Sequence, residues 1–213
     1  MLLKLSFLVA TSYALAVDKL VGFRQSPIDL PTSGFDEDHI ILDDAEFDLE
    51  YGKVSLSDKH GEHFTLDGGH YQSDLTKLWY PNHTFSFTPD HFHFHLDDGV
   101  QSAKKDGSEH AIDGQHFDME MHVVNLNGDN ATKDLFLAGV IGILFKIEDY
   151  KEPTWVDDFF VTLMSDKIQD FGKDFMDHLN FNSRWVYKGS LTTPPYAETL
   201  FWTVLSDVVP ISR

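Results

Sequence analysis

His91-Phe92-His93-Phe94-His95 is the segment that leaves the fewest options for the fold. Imidazole and phenyl alternate with a period of two, which an extended strand sorts onto two faces and a helix scatters around its axis. All three histidines then share one face and both phenylalanines the other. Neighbours on one face stand roughly 6.6 Å apart along a strand, so two imidazoles can converge on one ion and a third on the same straight strand cannot. A further ligand has to come from an adjacent strand. Met119-Glu120-Met121-His122-Val123-Val124 offers one, with Glu120 and His122 on one face. Three neutral imidazoles around a tetrahedral ion leave one position for water, the pattern of a catalytic rather than a closed structural zinc site. Spacing alone admits iron or copper as well.

The rest of the chain suits such a sheet. Glu46–Tyr51, His63–Leu66, Thr84–Leu96, Phe117–Leu126 and Phe201–Leu205 alternate and are expected as strands. The apolar run Leu135–Ile147 is expected as a strand buried on both faces, or two segments kinked at Gly139 or Gly142. Trp155, Phe159, Leu163, Ile168, Phe171, Phe175 and Leu179 recur at helical spacing after Pro153 and a candidate Thr154 cap, which predicts a helix pair broken at Gly172. Cupins also use His-x-His on a strand, but want a glutamate shortly after it, and Leu96-Asp97-Asp98-Gly99 supplies none.

Composition removes other functions. The 213 residues carry 16 basic against 35 acidic side chains, a net charge of −19, which repels nucleic acid and anionic membranes. The absence of cysteine excludes disulfides, thiolate metal sites and cysteine nucleophiles. No glycine-rich phosphate loop occurs. Residues 1–16 are set apart by Lys4, the apolar stretch Leu5–Ala10 and the small-x-small ending Ala14-Leu15-Ala16, the form of a secretory signal peptide too short to span a membrane. Asn82-His83-Thr84 and Asn130-Ala131-Thr132 are acceptor triplets for N-glycosylation, in keeping with a secreted glycoprotein.

Further motifs flank the histidines. Gln25-Ser26-Pro27-Ile28, Phe92-His93-Phe94-His95, Gly107-Ser108-Glu109-His110, Glu120-Met121-His122 and Gly189-Ser190-Leu191-Thr192-Thr193-Pro194-Pro195 follow in order, the last with Glu198 and Trp202 behind it. Across residues 24–213 the chain closely resembles an α-class carbonic anhydrase. The resemblance implies a mostly β (α+β) fold, a central, twisted, mainly antiparallel sheet with a few peripheral helices and Zn2+ at the base of a conical cleft. It also implies a lyase that reversibly hydrates carbon dioxide to bicarbonate and a proton through zinc-bound hydroxide. His93, His95 and His122 match the zinc ligands. Thr192 matches a gatekeeper whose hydroxyl accepts the hydroxide proton and donates its own to ionised Glu109, and Thr193 would help hold substrate. Val124, Val140, Leu191, Leu200 and Trp202 match the apolar wall that receives carbon dioxide. Glu120 should accept the ring N–H of His122 and fix its tautomer. Gln25, Ser26 and His110 are expected as structural hydrogen-bonding groups.

The sequence also departs from that family. His91 stands where a glutamine usually bonds the first ligand; a neutral imidazole can replace it as acceptor, and protonation below about pH 6.5 removes that role. Glu62 takes the position of the histidine that shuttles protons in fast members, with His60 and His63 beside it, so slower and more buffer-dependent proton transfer is expected. Residues 17–213 form the expected domain, short at both ends against the family pattern. The expected partners are small molecules, with no nucleic acid and no transmembrane segment. The alternative is a catalytically weak or inactive binding or matrix protein on the same fold; retention of all three zinc histidines favours the enzyme.

Overall fold

The computed structural model describes residues 24–34, 40–42, 47–56, 63–96, 107–149, 152–165 and 169–213. Among them a ten-stranded twisted sheet forms the body of the molecule. Its strands are β2 (Ile40–Leu42), β3 (Phe47–Leu56), β4 (His63–Ser73), β5 (Ser86–Leu96), β7 (Met119–Asn127), β8 (Ala138–Glu148), β9 (Gln169–Asp170), β10 (Arg184–Gly189), β11 (Leu200–Leu205) and β12 (Val209–Ser212). They lie in the order β2-β10-β11-β8-β7-β5-β4-β3-β9, with β12 alongside β8. Neighbours run antiparallel except for β11 and β12, which are both parallel to β8. A separate parallel pair joins β1 (Asp29–Leu30) to β6 (Ala111–Ile112). This is the mainly antiparallel β-rich architecture implied by the resemblance.

Alternation along β5 does what its sequence demands. Phe92 is fully buried and stacks on Phe64 at 4.8 Å and on Phe171 at 4.9 Å, while Phe94 meets Phe64 and Phe160 edge-on. That aromatic face fixes the strand and leaves the histidine face towards the second core cluster, built on Val140, Leu144, Tyr187, Leu200 and Trp202. Burying Phe92 alone is worth roughly 1.5–3 kcal/mol.

The apolar run becomes one strand, β8, whose first eight residues are all buried. It does not kink at either glycine. Gly139 instead leaves room for the Tyr71 ring, 2.7 Å from where a Cβ would stand, and Gly142 for Glu120 Oε1 at 3.0 Å. Close approach, not a bend, explains both residues.

Helical spacing is realised as α1 (Trp155–Leu163) and α2 (Phe171–Asp174), with β9 immediately before α2. The expected break at Gly172 is displaced: this glycine lies inside α2, where a Cβ would meet the Tyr51 carbonyl oxygen at 2.7 Å. Thr154 caps α1 as expected. Asp157 Oδ2 accepts both its N–H (2.6 Å) and its hydroxyl (2.7 Å), while Oδ1 accepts the N–H and hydroxyl of Ser212 in β12 (2.9 and 2.8 Å). One carboxylate therefore ties the helix start to the last strand. Among the described residues no helix is long and apolar enough to cross a membrane.

Candidate metal centre

β5 and β7 pair so that His93 faces His122 and His95 faces Glu120. Two imidazoles from one strand thereby meet one from its neighbour, as one-strand geometry requires. The ring centroids of His93, His95 and His122 lie 4.4–5.4 Å apart, and the three offer nitrogens that all fall within 4.8 Å of one another. His95 Nε2 and His122 Nδ1 are separated by 3.1 Å. Two nitrogens bound to one tetrahedral zinc at the usual bond length stand about 3.4 Å apart, so little adjustment is needed. The donor set fits zinc.

Tautomer supports the same reading. Glu120 is fully buried and accepts three hydrogen bonds: His122 Nε2–H at 2.9 Å, His110 Nδ1–H at 2.6 Å and the His110 backbone N–H at 2.8 Å. With its Nε2 proton held there, His122 turns the Nδ1 lone pair towards His95. Burial alone would raise the pKa of Glu120; the adjoining His110 and His122 outweigh that and hold it well below the usual carboxylate range. Burial first, and the neighbouring His122 second, lower the pKa of His95, which keeps the imidazole in the neutral form a metal requires.

Support for Glu120 extends inward through a chain of buried polar groups. The Tyr187 hydroxyl bonds His110 Nε2 at 2.7 Å and Ser26 Oγ at 2.9 Å. Ser26 and Ser190 clasp each other, Ser26 N–H to Ser190 Oγ (2.8 Å) and Ser190 N–H to Ser26 Oγ (3.1 Å), and Trp202 Nε1–H donates to the Ser190 carbonyl at 3.0 Å. Ser108 pins the preceding loop by accepting the Phe117 N–H and donating to the His110 carbonyl. Ser26 and His110 therefore act as structural groups, whereas the exposed Gln25 reaches the half-buried Glu198 through Nε2 at 2.6 Å. Tyr187 was not singled out from the sequence; its partners lie 77 and 161 positions away, beyond any local pattern.

The other candidate residues fall around this core. Glu109 is half-buried, with Oε1 3.4 Å from His95 Nδ1 and Oε2 3.9 Å from His122 Nδ1. Its Oε2 is buried without a hydrogen-bond partner among the described residues. Thr192, half-buried, and Thr193, exposed, lie in the turn after β10, where Leu191 N–H bonds the Ala197 carbonyl and Tyr196 N–H the Thr193 carbonyl. Cross-strand pairing sets Val140 beside both Val124 and Trp202. Val140, Leu200 and Trp202 are buried, with Val124 and Leu191 packed against the same cluster. The Trp202 ring meets His122 edge-on at 4.8 Å. His91 stacks on His93 at 5.4 Å and gives its Nδ1–H to the adjacent Asp90 Oδ2 at 2.6 Å. Adjacent residues on a regular strand face apart; a register shift between Pro89 and His91 allows this pair to meet. His60 and Glu62 lie outside the described residues, and of His63 only the backbone is described, paired with His93.

A twisted mixed sheet that presents three imidazoles and a buried carboxylate in this way has the makings of a carbonic-anhydrase-like metal centre. Comparison with known proteins agrees: the family model for eukaryotic-type carbonic anhydrase matches residues 12–213. Similar relatives include mouse (Mus musculus) carbonic anhydrase 6, 32% identical over 215 residues, covering 90% of this chain and 62% of that protein. Human (Homo sapiens) carbonic anhydrase 6 is 33% identical over 133 residues, 57% of this chain and 42% of that protein. Pig (Sus scrofa) carbonic anhydrase 3 is 30% identical over 207 residues, 90% of this chain and 75% of that protein. The chain belongs to the eukaryotic-type carbonic anhydrase family, and it spans less than two thirds of the length of the carbonic anhydrase 6 relatives it matches.

Proposed function

We propose that this chain is a secreted zinc enzyme that reversibly hydrates carbon dioxide to bicarbonate and a proton. The observation that carries the proposal is the convergence of His95 Nε2 and His122 Nδ1 at 3.1 Å, with Glu120 holding the far nitrogen of His122. Zinc bound by His93, His95 and His122 supplies a Lewis acid that makes hydroxide available near neutral pH. Glu120 keeps His122 in the ligating tautomer and raises its basicity. Val124, Val140, Leu191, Leu200 and Trp202 offer carbon dioxide an apolar wall that makes no demand for hydrogen bonds. Thr192 accepts a hydrogen bond at its hydroxyl oxygen and donates one from its own O–H to ionised Glu109, which orients the attacking oxygen, and Thr193 steadies substrate and product. His91 braces His93. Protons leave by way of His60, Glu62 and His63, and the substitution of glutamate at the shuttle position makes that step buffer-dependent. The leader-like residues 1–16 support a secretory route.

One observation favours the slower alternative, a zinc-binding protein of this fold with weak turnover. Glu109 stands beside the His95 and His122 rings, and no Thr192–Glu109 hydrogen bond is among those of the described residues. The two readings separate in a variant series. His95→Ala is expected to lose zinc and hydration together. Thr192→Ala is expected to keep zinc and to lose on the order of 100-fold in rate, as removal of one oriented polar partner does elsewhere. Full hydration by His95→Ala would refute the ligand assignment, and an unaltered rate in Thr192→Ala would favour the alternative.

A further inference from the structure

We infer that Asn82 and Asn130 both carry N-linked glycans, and that together they clothe the end of the sheet remote from the three histidines; the inference rests on the secretory route proposed above. Both residues begin Asn-x-Thr triplets without proline. Asn82, His83 and Thr84 are all exposed, in the loop that leads from the turn at Asp74–Leu78 into β5. Asn130 is exposed in the loop between β7 and β8. Phe87 near the start of β5 pairs with Asn127 at the end of β7, which brings these two loops to the same end of neighbouring strands. His93 lies six residues further along β5 and His122 five residues back along β7, which at ~3.3 Å per residue puts the histidines about 17–20 Å from this end. Sugar there leaves the metal face open. Leu78 and Leu126, two large apolar side chains that are 54% and 42% exposed, each stand four residues before one of these asparagines.

In the transfer, the Asn Nδ2 attacks the anomeric carbon of a lipid-pyrophosphate-linked oligosaccharide. A C–N bond forms, the C–O bond to pyrophosphate breaks, and the lipid pyrophosphate departs as the amide releases a proton. The threonine hydroxyl of the triplet has to be free at that moment. Thr84 is exposed. Thr132 is 7% exposed, and its hydroxyl accepts from Asn127 Nδ2 at 3.0 Å and lies 3.3 Å from Asp129 Oδ2 as donor. Asn130 is thus modified before its turn closes, whereas Asn82 stays open in the folded chain.

The test expresses the full chain in a eukaryotic secretory host, once with its own residues 1–16 and once with these replaced by an established leader. Enzymatic deglycosylation in 18O water converts each glycosylated asparagine to labelled aspartate, and Lys77, Lys104 and Lys133 place the two sites in different tryptic peptides. Label at both positions of the leader-replaced product is expected, with occupancy at Asn82 at least equal to that at Asn130. Asn82→Gln and Asn130→Gln should each remove one glycan from the gel shift while leaving zinc content unchanged. Absence of label at either position in that secreted product overturns the assignment, and higher occupancy at Asn130 contradicts the role given to Thr132. Retention inside the cell of the native-leader chain alone, without glycans, would refute the secretory reading and with it the glycans on the native chain, while label on the leader-replaced product would still show both triplets to be competent acceptors.

Discussion

Glu120 is heavily engaged: Oε1 takes ring protons from both His110 and His122, and Oε2 takes the His110 backbone N–H. Replacing it with glutamine puts an N–H where an acceptor stood, and either His110 or His122 must abandon its tautomer or lose its partner. Glu120→Gln is therefore expected to fold and to bind zinc about 10–100-fold more weakly, measured by competition with a chromogenic chelator. Wild-type affinity in this variant would detach Glu120 from the ligand. The convergence of the three candidate ligands was legible in the sequence because alternation is a local rule, and because Glu120 and His122 stand two residues apart on one strand face. The Tyr187–Ser26–Ser190 chain behind them was not, since no periodicity connects residues more than 70 positions apart. Asp90 escaped for a different reason: only an irregularity at Pro89 lets it meet its neighbour His91.

At the scale of elements, alternation or a long apolar run announced most strands, including the fully buried β11 and the largely buried β8, and two strands that carry neither signal escaped. β10, Arg184-Trp185-Val186-Tyr187-Lys188-Gly189, is almost wholly buried and carries no alternation to detect, and β12 contains Pro210. β8 was found by its apolarity as one strand buried on both faces, while a kink at Gly139 or Gly142 stood as the alternative because a glycine demanded by a neighbour's ring has the same letter as one demanded by a bend. Gly139→Ala should cost about 1–3 kcal/mol, read as a lowered urea midpoint, since the new methyl group meets Tyr71 and Phe87 at 2.7–3.1 Å. An unchanged midpoint would contradict that packing. Asp157 gives the junction of α1 and β12 a pH signature. Burial pulls its pKa upward, and hydrogen bonds from Thr154 and Ser212 override this to bring it from 3.8 to about 2. A depressed folded-state pKa means that the stabilisation is complete above pH 3.8 and disappears as pH falls through 2. Asp157→Asn should thus be less stable than wild type by about 1 kcal/mol near neutrality, and the gap should close in acid unfolding below pH 2. A gap that persisted there would show that the carboxylate's charge is irrelevant to the junction.

Across the whole molecule, His93 and His95 of β5 meet His122 of β7 only in the folded sheet, so the proposed zinc binding would be coupled to folding. Zinc at 100-fold above its dissociation constant should stabilise the folded chain by about 2.7 kcal/mol, a rise in Tm of roughly 5–10 °C for a domain of this size. Calorimetry before and after chelation checks this, and coincident melting curves would argue against a preformed site. The overall topology follows the family pattern quoted in the motifs, but the pairing order β2-β10-β11-β8 could not be read from local spacing, because it joins strands far apart in the chain. The most direct test of the account titrates the metal-free protein with zinc while following carbon dioxide hydration by stopped flow on the same sample. The rate is expected to rise linearly and to saturate at one zinc per chain. Stoichiometric binding with a rate no faster than buffer would contradict the proposed activity, and hydration independent of zinc would contradict the three-histidine centre itself.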